Sequence, residues 1–199
     1  MRSVRALAVL AVLVLAGCGS SSPKVAHPAG TTPQVGGAIL TSTPAAPTIS
    51  LHDDRGRAVH LSDFRGKWVA IAFIYTHCPD VCPLIAQNLN AALTKAPDLR
   101  VVAVSVDPKG DTPAAVRAFT RSHRLVGAFH YLIGSRAQLR PVWHAYHVAT
   151  APGPAATVDH SSFELLVDPK GRERAYYDSR VRANDVLHDL QRLGGTVRA

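Results

Sequence analysis

One stretch of the sequence decides the fold: Phe73-Ile74-Tyr75-Thr76-His77-Cys78-Pro79-Asp80-Val81-Cys82-Pro83. The apolar run at residues 68–74 predicts a buried strand, and the helical spacing of apolar residues at 84–95 predicts a helix. Cys78 and Cys82 therefore lie where a strand turns into a helix. Residues four apart can face the same side of a helix, and the helix N-terminus favours a thiolate over a thiol. The stretch predicts two reactive thiols close together; the alternatives are two small buried cysteines or a structural disulfide.

The N-terminus has the features of a processing signal. Arg2 and Arg5 precede an apolar segment at residues 6–15 that is too short to span a bilayer as a helix. This segment ends in Leu15-Ala16-Gly17-Cys18, which resembles the bacterial lipobox, where the peptide is cut before a cysteine that is then acylated. We therefore expect a lipoprotein signal peptide at 1–17 and lipidation of Cys18, rather than an uncleaved signal anchor.

A change in composition near residue 47 predicts the domain boundary. Residues 18–47 are rich in Ser, Pro, Thr, Gly and Ala, which is typical of a flexible linker after the lipidated cysteine. Residues 48–199 show globular patterning and are enough for one domain with a sizeable core. The protein is expected to be exported and lipid-anchored to the outer face of the bacterial cytoplasmic membrane.

The order of predicted elements in residues 48–199 indicates an α/β fold. A hairpin around residues 53–56 precedes the strand at 68–74, and a second strong strand follows the cysteine helix at 99–106. Strand, helix and strand in this order predict a right-handed crossover and parallel pairing. The other predictions are strands at 131–133, 163–167 and 172–177, helices at 114–123, 135–146 and 182–193, and a loop at 149–157. Together they predict a central mixed sheet flanked by helices on both faces.

The charge pattern limits the classes of partner. The formal net charge is +8, but the arginines and lysines are spread along the chain without interleaved aromatic residues. This argues against nucleic acid binding and favours attraction to an anionic membrane or an acidic partner surface. The sequence shows no phosphate-binding loop, no Ser/His/Asp arrangement and no paired carboxylates in a catalytic context.

Several motifs together resemble a known family. The segment at 61–67, with the preceding hairpin, is similar to the redoxin branch of the thioredoxin fold. The motif at 75–83, Ser105-Val106-Asp107-Pro108 with Asp111-Thr112-Pro113, and Val158-Asp159-His160-Ser161 together resemble the Sco/SenC copper chaperones. The likeness covers roughly residues 47–193 and rests on three separated motifs in the same order.

The resemblance implies a thioredoxin-like fold, a metal site and a role. In that family a C-x3-C pair and a histidine before a late strand bind copper, which here correspond to Cys78, Cys82 and His160. The family role is construction of the dinuclear copper centre of cytochrome c oxidase subunit II. Expected partners are therefore this subunit, other copper chaperones or thiol reductants, and the membrane through the lipid anchor.

The chemistry of the expected ligands agrees with copper. Two thiolates and one imidazole form a soft, low-coordinate site that favours Cu(I), with Cu(II) as a second form, and a closed zinc site is poorly supported. Asp159 could orient the His160 ring, and Asp80, Asp107 and Asp111 could support the site, although turn and capping roles also explain them. His77 is a weaker candidate, because neighbouring strand side chains point to opposite faces.

Two functions therefore compete at the sequence level. The first is a metallochaperone that carries copper. The second is a thiol–disulfide reductase that cycles Cys78 and Cys82 to keep cysteines of the oxidase subunit reduced. The histidine at residue 160, where ordinary thiol oxidoreductases have proline, and the three residues between the cysteines favour copper.

Overall fold

The computed structural model describes residues 36–153 and 157–198. The predicted signal peptide at 1–17, Cys18 and the first part of the predicted linker lie outside the described residues. The strands are β1 (Ala38–Ile39), β2 (Ser50–Asp53), β3 (Ala58–His60), β4 (Trp68–Ile74), β5 (Leu99–Ser105), β6 (Phe129–Ile133), β7 (Thr150–Pro152), β8 (Val158–His160), β9 (Phe163–Val167) and β10 (Glu173–Asp178). The helices are α1 (Val81–Lys95), α2 (Pro113–Ser122), α3 (Arg136–Ala145) and α4 (Ala183–Arg192), with a short 3-10 turn at Leu61–Phe64.

Eight of the strands form one mixed sheet in the order β1-β10-β9-β4-β5-β6-β2-β3. The predicted parallel pairing of β4 with β5 is confirmed over the whole strand, from Trp68 opposite Leu99 to Ile74 opposite Ser105. β6 continues the parallel part, whereas β9, β10 and β2 pair antiparallel to their neighbours. The predicted α/β fold with a central mixed sheet is therefore confirmed.

The helices cover both faces of this sheet. α1 connects β4 to β5 and α2 connects β5 to β6, and both lie on one face, where Gln87 of α1 contacts His123 at the end of α2. α4 packs against α1 on the same face. α3 covers the other face: the Tyr146 ring at its end lies 5.4 Å from the Phe73 ring. Within the described ranges, no helix is both long and apolar enough to cross a bilayer.

The folded domain begins earlier than the boundary predicted at residue 47. Ala38 and Ile39 form an edge strand opposite Tyr176 and Ala175, and Ala45 makes a further bridge to Arg172. The Gly37 N–H also donates to the buried Asp189 carboxylate of α4 at 2.7 Å. Composition did not reveal this segment, because its edge strand contains only two residues and its hydrogen-bond partners lie far along the chain.

The prediction of a plain loop at residues 149–157 is wrong in its first part. Thr150–Pro152 forms β7, which pairs with β8 in a separate two-stranded sheet, with Thr150 opposite His160 and Ala151 opposite Asp159. A three-residue strand that ends in proline has too little alternation to be recognised from sequence. This β7–β8 hairpin matters for function because it carries His160.

Glu164 is an unusual core residue of β9. It is 1% exposed, it lies opposite Ala72 and Tyr177 in the sheet register, and neither carboxylate oxygen has a hydrogen-bond partner among the described residues. Burial, followed by the nearby Asp178 charge, raises the pKa of Glu164 to about 9. The carboxyl group is therefore protonated in the folded protein at neutral pH.

We expect Glu164→Leu to stabilise the protein increasingly as pH rises. Between the ordinary pKa of 4.5 and about 9, the folded state keeps a proton that the unfolded state has lost. The parent's free energy of unfolding therefore falls with pH through this group, by up to about 1.4 kcal/mol per pH unit. Urea denaturation across pH should show a growing gap between variant and parent. Asp159→Asn, which removes an exposed carboxylate, should leave no such gap, and a pH-independent difference for Glu164→Leu would contradict the assignment.

Candidate metal centre

Cys78 and Cys82 lie together at the end of β4, as the sequence predicted. Cys78 is in the turn that follows the strand, and Cys82 is in the first turn of α1, where it is completely buried. Both are free thiols. The Cys82 backbone N–H donates to the Cys78 sulfur at 3.4 Å. The N-terminus of α1 therefore directs a hydrogen-bond donor at a sulfur atom, as expected for a site that favours a thiolate.

The two thiols have opposite acidities. A hydrogen bond from the Cys82 thiol is the main cause that lowers the pKa of Cys78, although burial opposes it. The backbone N–H groups of Asp80 and Cys82 and the Tyr75 hydroxyl lower this pKa further. The same shared proton, together with burial, raises the pKa of Cys82, and the Asp111 charge adds to that rise. Cys78 is therefore the thiolate, and Cys82 is the thiol that donates to it.

His160 reaches this region from the β7–β8 hairpin. Its ring meets the ring of Tyr75 edge-on, with 5.9 Å between centroids, and the Tyr75 hydroxyl interacts with Cys78. The His160 Nδ1 atom lies 2.9 Å from the Ser161 carbonyl oxygen. A carbonyl oxygen can only accept, so Nδ1 carries the proton in the neutral ring and the Nε2 lone pair is left for a ligand.

The three predicted ligands are neighbours but are not gathered into one group. In the part of the chain that the structure describes, no three His, Cys, Asp or Glu side chains form a cluster that could hold a metal ion. The cysteines are paired, and His160 is connected to them through Tyr75. Binding through all three residues would therefore require the β7–β8 hairpin and the cysteine turn to approach each other.

Asp111 supports the cysteine turn from within the core. It is 4% exposed, and its Oδ1 atom accepts from the Thr76 backbone N–H at 2.8 Å and from the Thr76 hydroxyl at 2.7 Å. Its Oδ2 atom accepts from the Ser105 hydroxyl at 2.6 Å and from the Tyr131 hydroxyl at 3.0 Å. Burial raises the pKa of Asp111, and these hydrogen bonds counteract the rise. Asp111 is thus not the helix cap that sequence alone allowed, since Thr112 caps α2.

The other predicted aspartates lie at the surface or in a turn. Asp80 is exposed at the start of α1, and its side chain makes no capping bond, although its backbone N–H supports the Cys78 thiolate. Asp107 accepts from the Lys109 N–H at 3.1 Å in the turn after β5. Asp159 is exposed on the β7–β8 hairpin. Among the described contacts, none connects Asp159 to the His160 ring, so the structure gives no support for its predicted orienting role.

The remaining histidines are mostly surface residues. His77 is exposed, and its Nδ1 atom lies 3.0 Å from the Thr76 hydroxyl. Four further histidines are also exposed: His52, His60, His144 and His147.

Sequence reasoning missed Tyr75, which connects the whole site. Its backbone N–H and hydroxyl support Cys82 and Cys78, and its hydroxyl accepts from the Val158 N–H at 3.4 Å. Its position at the end of the buried strand was the only available signal, because the partners from β8 are about eighty residues away.

A cleft of about 900 Å³ opens beside His77, between the turn after β5, the start of α3 and the β7–β8 hairpin.

Comparison with known proteins identifies the family. The SCO1/SenC family model matches residues 41–194. The mitochondrial SCO2 homologue of Bos taurus is 35% identical over 156 residues, which are 72% of this chain and 57% of the relative. The chain spans about half the length of the curated relatives it matches.

Solved structures show the same fold. Arabidopsis thaliana ScoI with copper bound overlaps at a TM-score of 0.67 with 27% identity, over 74% of this chain and 96% of that one. Bradyrhizobium japonicum ScoI with copper bound overlaps at a TM-score of 0.62 with 30% identity, over 74% of this chain and 98% of that one. The predicted thioredoxin-like fold is thereby confirmed. The matched residues include the cysteine turn, α1 and the β7–β8 hairpin, and this chain belongs to the SCO1/SenC family.

Proposed function

We propose that this protein is a copper chaperone that binds Cu(I) through Cys78, Cys82 and His160. One observation carries the proposal: two free cysteines lie together at the N-terminus of α1, where the Cys82 N–H points at the Cys78 sulfur, and the nearby His160 has its Nδ1 hydrogen-bonded to a carbonyl oxygen, which leaves Nε2 for a ligand. This set offers two sulfurs and one imidazole nitrogen, which are soft donors that suit Cu(I) better than hard cations. Relatives solved with copper bound support the choice of metal.

The electrostatics of the cysteine turn suit a cationic cargo. Cys78 is already a thiolate, and Cys82 has to lose its proton when it becomes a ligand, so binding releases a proton. Two thiolates and a neutral imidazole around Cu(I) carry one net negative charge. The backbone N–H groups at the start of α1 and the positive end of its dipole stabilise that charge.

The placement of the proposed ligands on two structural units suits the transfer of copper to a recipient protein. The cysteines belong to the main domain core, whereas His160 belongs to the small two-stranded sheet. A site that closes by the approach of a hairpin can open in the same way, and three ligands leave room for an incoming ligand from the recipient. We infer that the recipient is cytochrome c oxidase subunit II, in accordance with the family role, and that it docks in the cleft beside His77.

A thiol–disulfide reductase is the second candidate, and the acidity of Cys78 favours it. A thiolate next to a protonated partner thiol is the arrangement that attacks a disulfide and then resolves the mixed disulfide. The same residues serve both functions, because only a reduced pair binds Cu(I). His160 distinguishes the two: copper binding requires it as a ligand, whereas thiol exchange does not.

We also propose that the protein is exported and held at the outer face of the cytoplasmic membrane by lipid on Cys18. The support is the sequence Leu15-Ala16-Gly17-Cys18 after a basic and apolar N-terminal segment. Residues 18–35 would then connect the anchor to the folded domain.

We expect Cys18→Ala to prevent both lipid attachment and cleavage before residue 18. Mass spectrometry of the protein from bacterial membranes should find an acylated Cys18 at the N-terminus of the parent. A mature parent N-terminus at another position, with an unmodified Cys18, would contradict the anchor. Cys78→Ala serves as the control and should be processed like the parent.

We expect the Cys78 thiol to ionise at a pH well below that of an ordinary cysteine, whose pKa is about 8.5. Its rate of alkylation by iodoacetamide, measured across pH and located by peptide mapping, should report this midpoint. Cys82→Ala removes the main donor to the thiolate and should move the midpoint to higher pH. An unchanged midpoint in Cys82→Ala would show that the backbone N–H groups alone lower the pKa.

We expect His160→Ala to weaken Cu(I) binding by more than the roughly 10–100-fold that loss of an outer-shell partner costs. Competition against a Cu(I) chelator measures the affinity, and X-ray absorption counts the sulfur and nitrogen ligands. The variant should still form and exchange the Cys78–Cys82 disulfide. His77→Ala, which removes an exposed imidazole beside the same turn, is the matched control and should bind like the parent.

The same variants separate the two functions in cells. Loss of oxidase assembly in His160→Ala, with thiol exchange intact, supports copper delivery. Normal copper coordination and normal oxidase assembly in His160→Ala, with assembly lost in Cys78→Ser, would exclude histidine as a ligand. The protein would then be better described as a reductase.

A further inference from the structure

A second concave site lies between the β2–β3 turn, the β6 strand and the α2 helix, and its lining includes none of Cys78, Cys82 and His160. Its volume is about 480 Å³, within the size range of small-ligand pockets. Four arginines line it, and we call it the arginine pocket: they are Arg55, Arg57, Arg117 and Arg121. In sequence these residues belong to a positive charge that is spread along the chain, and the fold brings them together.

The sheet topology explains why the arginine pocket exists. β2 pairs with β6 only at His52 opposite Ile133 and at Asp53 opposite Leu132. β2 ends at Asp53, which leaves a gap beside the first half of β6. α2 closes the outer side of this gap, since the Arg117 guanidinium donates to the Asp54 carbonyl at 2.9 Å. The pocket therefore results from the short pairing of β2 with β6 and from one hydrogen bond between the Arg117 side chain and the Asp54 backbone.

The charges of the pocket do not cancel. Arg57 is neutralised by Asp53, whose Oδ2 atom lies 2.7 Å from both the Nε and the Nη2 atoms of Arg57. Arg117 is 3.9 Å from the Asp54 carboxylate, which is a weak pairing. Arg55 and Arg121 have no carboxylate partner among the described residues, and both are exposed. Two acidic groups thus face four guanidinium groups, and the pocket keeps a net positive charge.

The His130 ring also lines the arginine pocket and adds no negative charge to it. His130 is half-buried between the Phe64 ring, at 4.9 Å, and the pocket. Burial and the charges of Arg100 and Arg57 lower its pKa, so the ring is neutral at neutral pH. A neutral imidazole can donate one hydrogen bond to an oxyanion.

We propose that the arginine pocket binds a phosphate group, with Arg55 and Arg121 as its principal contacts. Planar guanidinium groups match phosphate oxygens with paired hydrogen bonds, and Arg55 and Arg121 line the same pocket. The volume exceeds that of inorganic phosphate, so a phosphate ester with a small organic group also fits. The phosphate can belong to a lipid headgroup or to a free small molecule. Phosphate binding in the arginine pocket is independent of copper binding, because none of the proposed copper ligands lines the pocket.

The test uses the purified full chain and two probes, measured by isothermal titration calorimetry at fixed ionic strength. One probe is inorganic phosphate, and the other is glycerophosphoglycerol, the deacylated headgroup of an anionic phospholipid. We expect saturable binding of at least one probe at one site. Preference for the diester indicates a lipid headgroup, and preference for inorganic phosphate indicates a free anion.

The decisive comparison is between two double variants with the same change in net charge. Arg55→Gln with Arg121→Gln should weaken binding at least about tenfold, because each lost contact is a hydrogen bond to a charged group. Arg140→Gln with Arg192→Gln removes two exposed arginines that do not line the pocket, and it should bind like the parent.

Both double variants should keep the parent's thermal midpoint and Cu(I) affinity. Equal weakening in both would show general electrostatic attraction and would overturn the proposal. An absence of saturable binding by the parent in the millimolar range would overturn it as well.

Discussion

The cysteine turn depends on one buried carboxylate, that of Asp111. It accepts hydrogen bonds from Thr76 after β4, from Ser105 at the end of β5 and from Tyr131 on β6. Burying a carboxylate is costly unless hydrogen bonds compensate for the loss of water, and four donors on three residues do so here. The result is that the segment after β4, the end of β5 and the middle of β6 are all hydrogen-bonded to one carboxylate. The position of Thr76, and hence of the adjacent turn with Cys78, follows from these hydrogen bonds.

The same carboxylate also contributes to the chemistry of the thiols. The interaction with Cys78 and burial are the main causes that raise the pKa of Cys82, and the Asp111 charge adds to that rise, while the donors around Cys78 stabilise a thiolate there. The pair therefore holds one proton, shared unequally, although both residues are cysteines. This asymmetry comes from position: Cys82 is inside the first turn of α1, and Cys78 lies before it, where N–H groups can reach its sulfur. A support residue of the core thus helps to decide which sulfur is nucleophilic.

The sequence predicted those features that depend on neighbouring residues. The all-apolar β4, the helix after it and the β5 strand are visible as local patterns, and so is the strand-to-helix position of the two cysteines. The role of Asp111 was not visible, since two of its three partner residues, Thr76 and Tyr131, lie 35 and 20 residues away. The edge strand β1 and the short β7 were missed for a similar reason: two or three residues have no usable period, and only pairing with distant residues defines them. The arginine pocket likewise appears only when β2, α2 and β6 are brought together.

The division of the candidate metal centre between two sheets has a mechanical consequence. Cys78 and Cys82 are fixed by the core through β4, α1 and the Asp111 network, so they have little freedom to rearrange. His160 lies in a two-stranded sheet of three-residue strands, and its ring contacts Tyr75 through an edge rather than through a hydrogen bond. A two-stranded sheet is at best marginally stable by itself, so motion of this hairpin costs far less than motion of the core. The candidate centre therefore has a rigid part, the two cysteines, and a more mobile part, the hairpin that carries His160. With the ligand set proposed above, opening and closing the centre would require displacement of His160 alone.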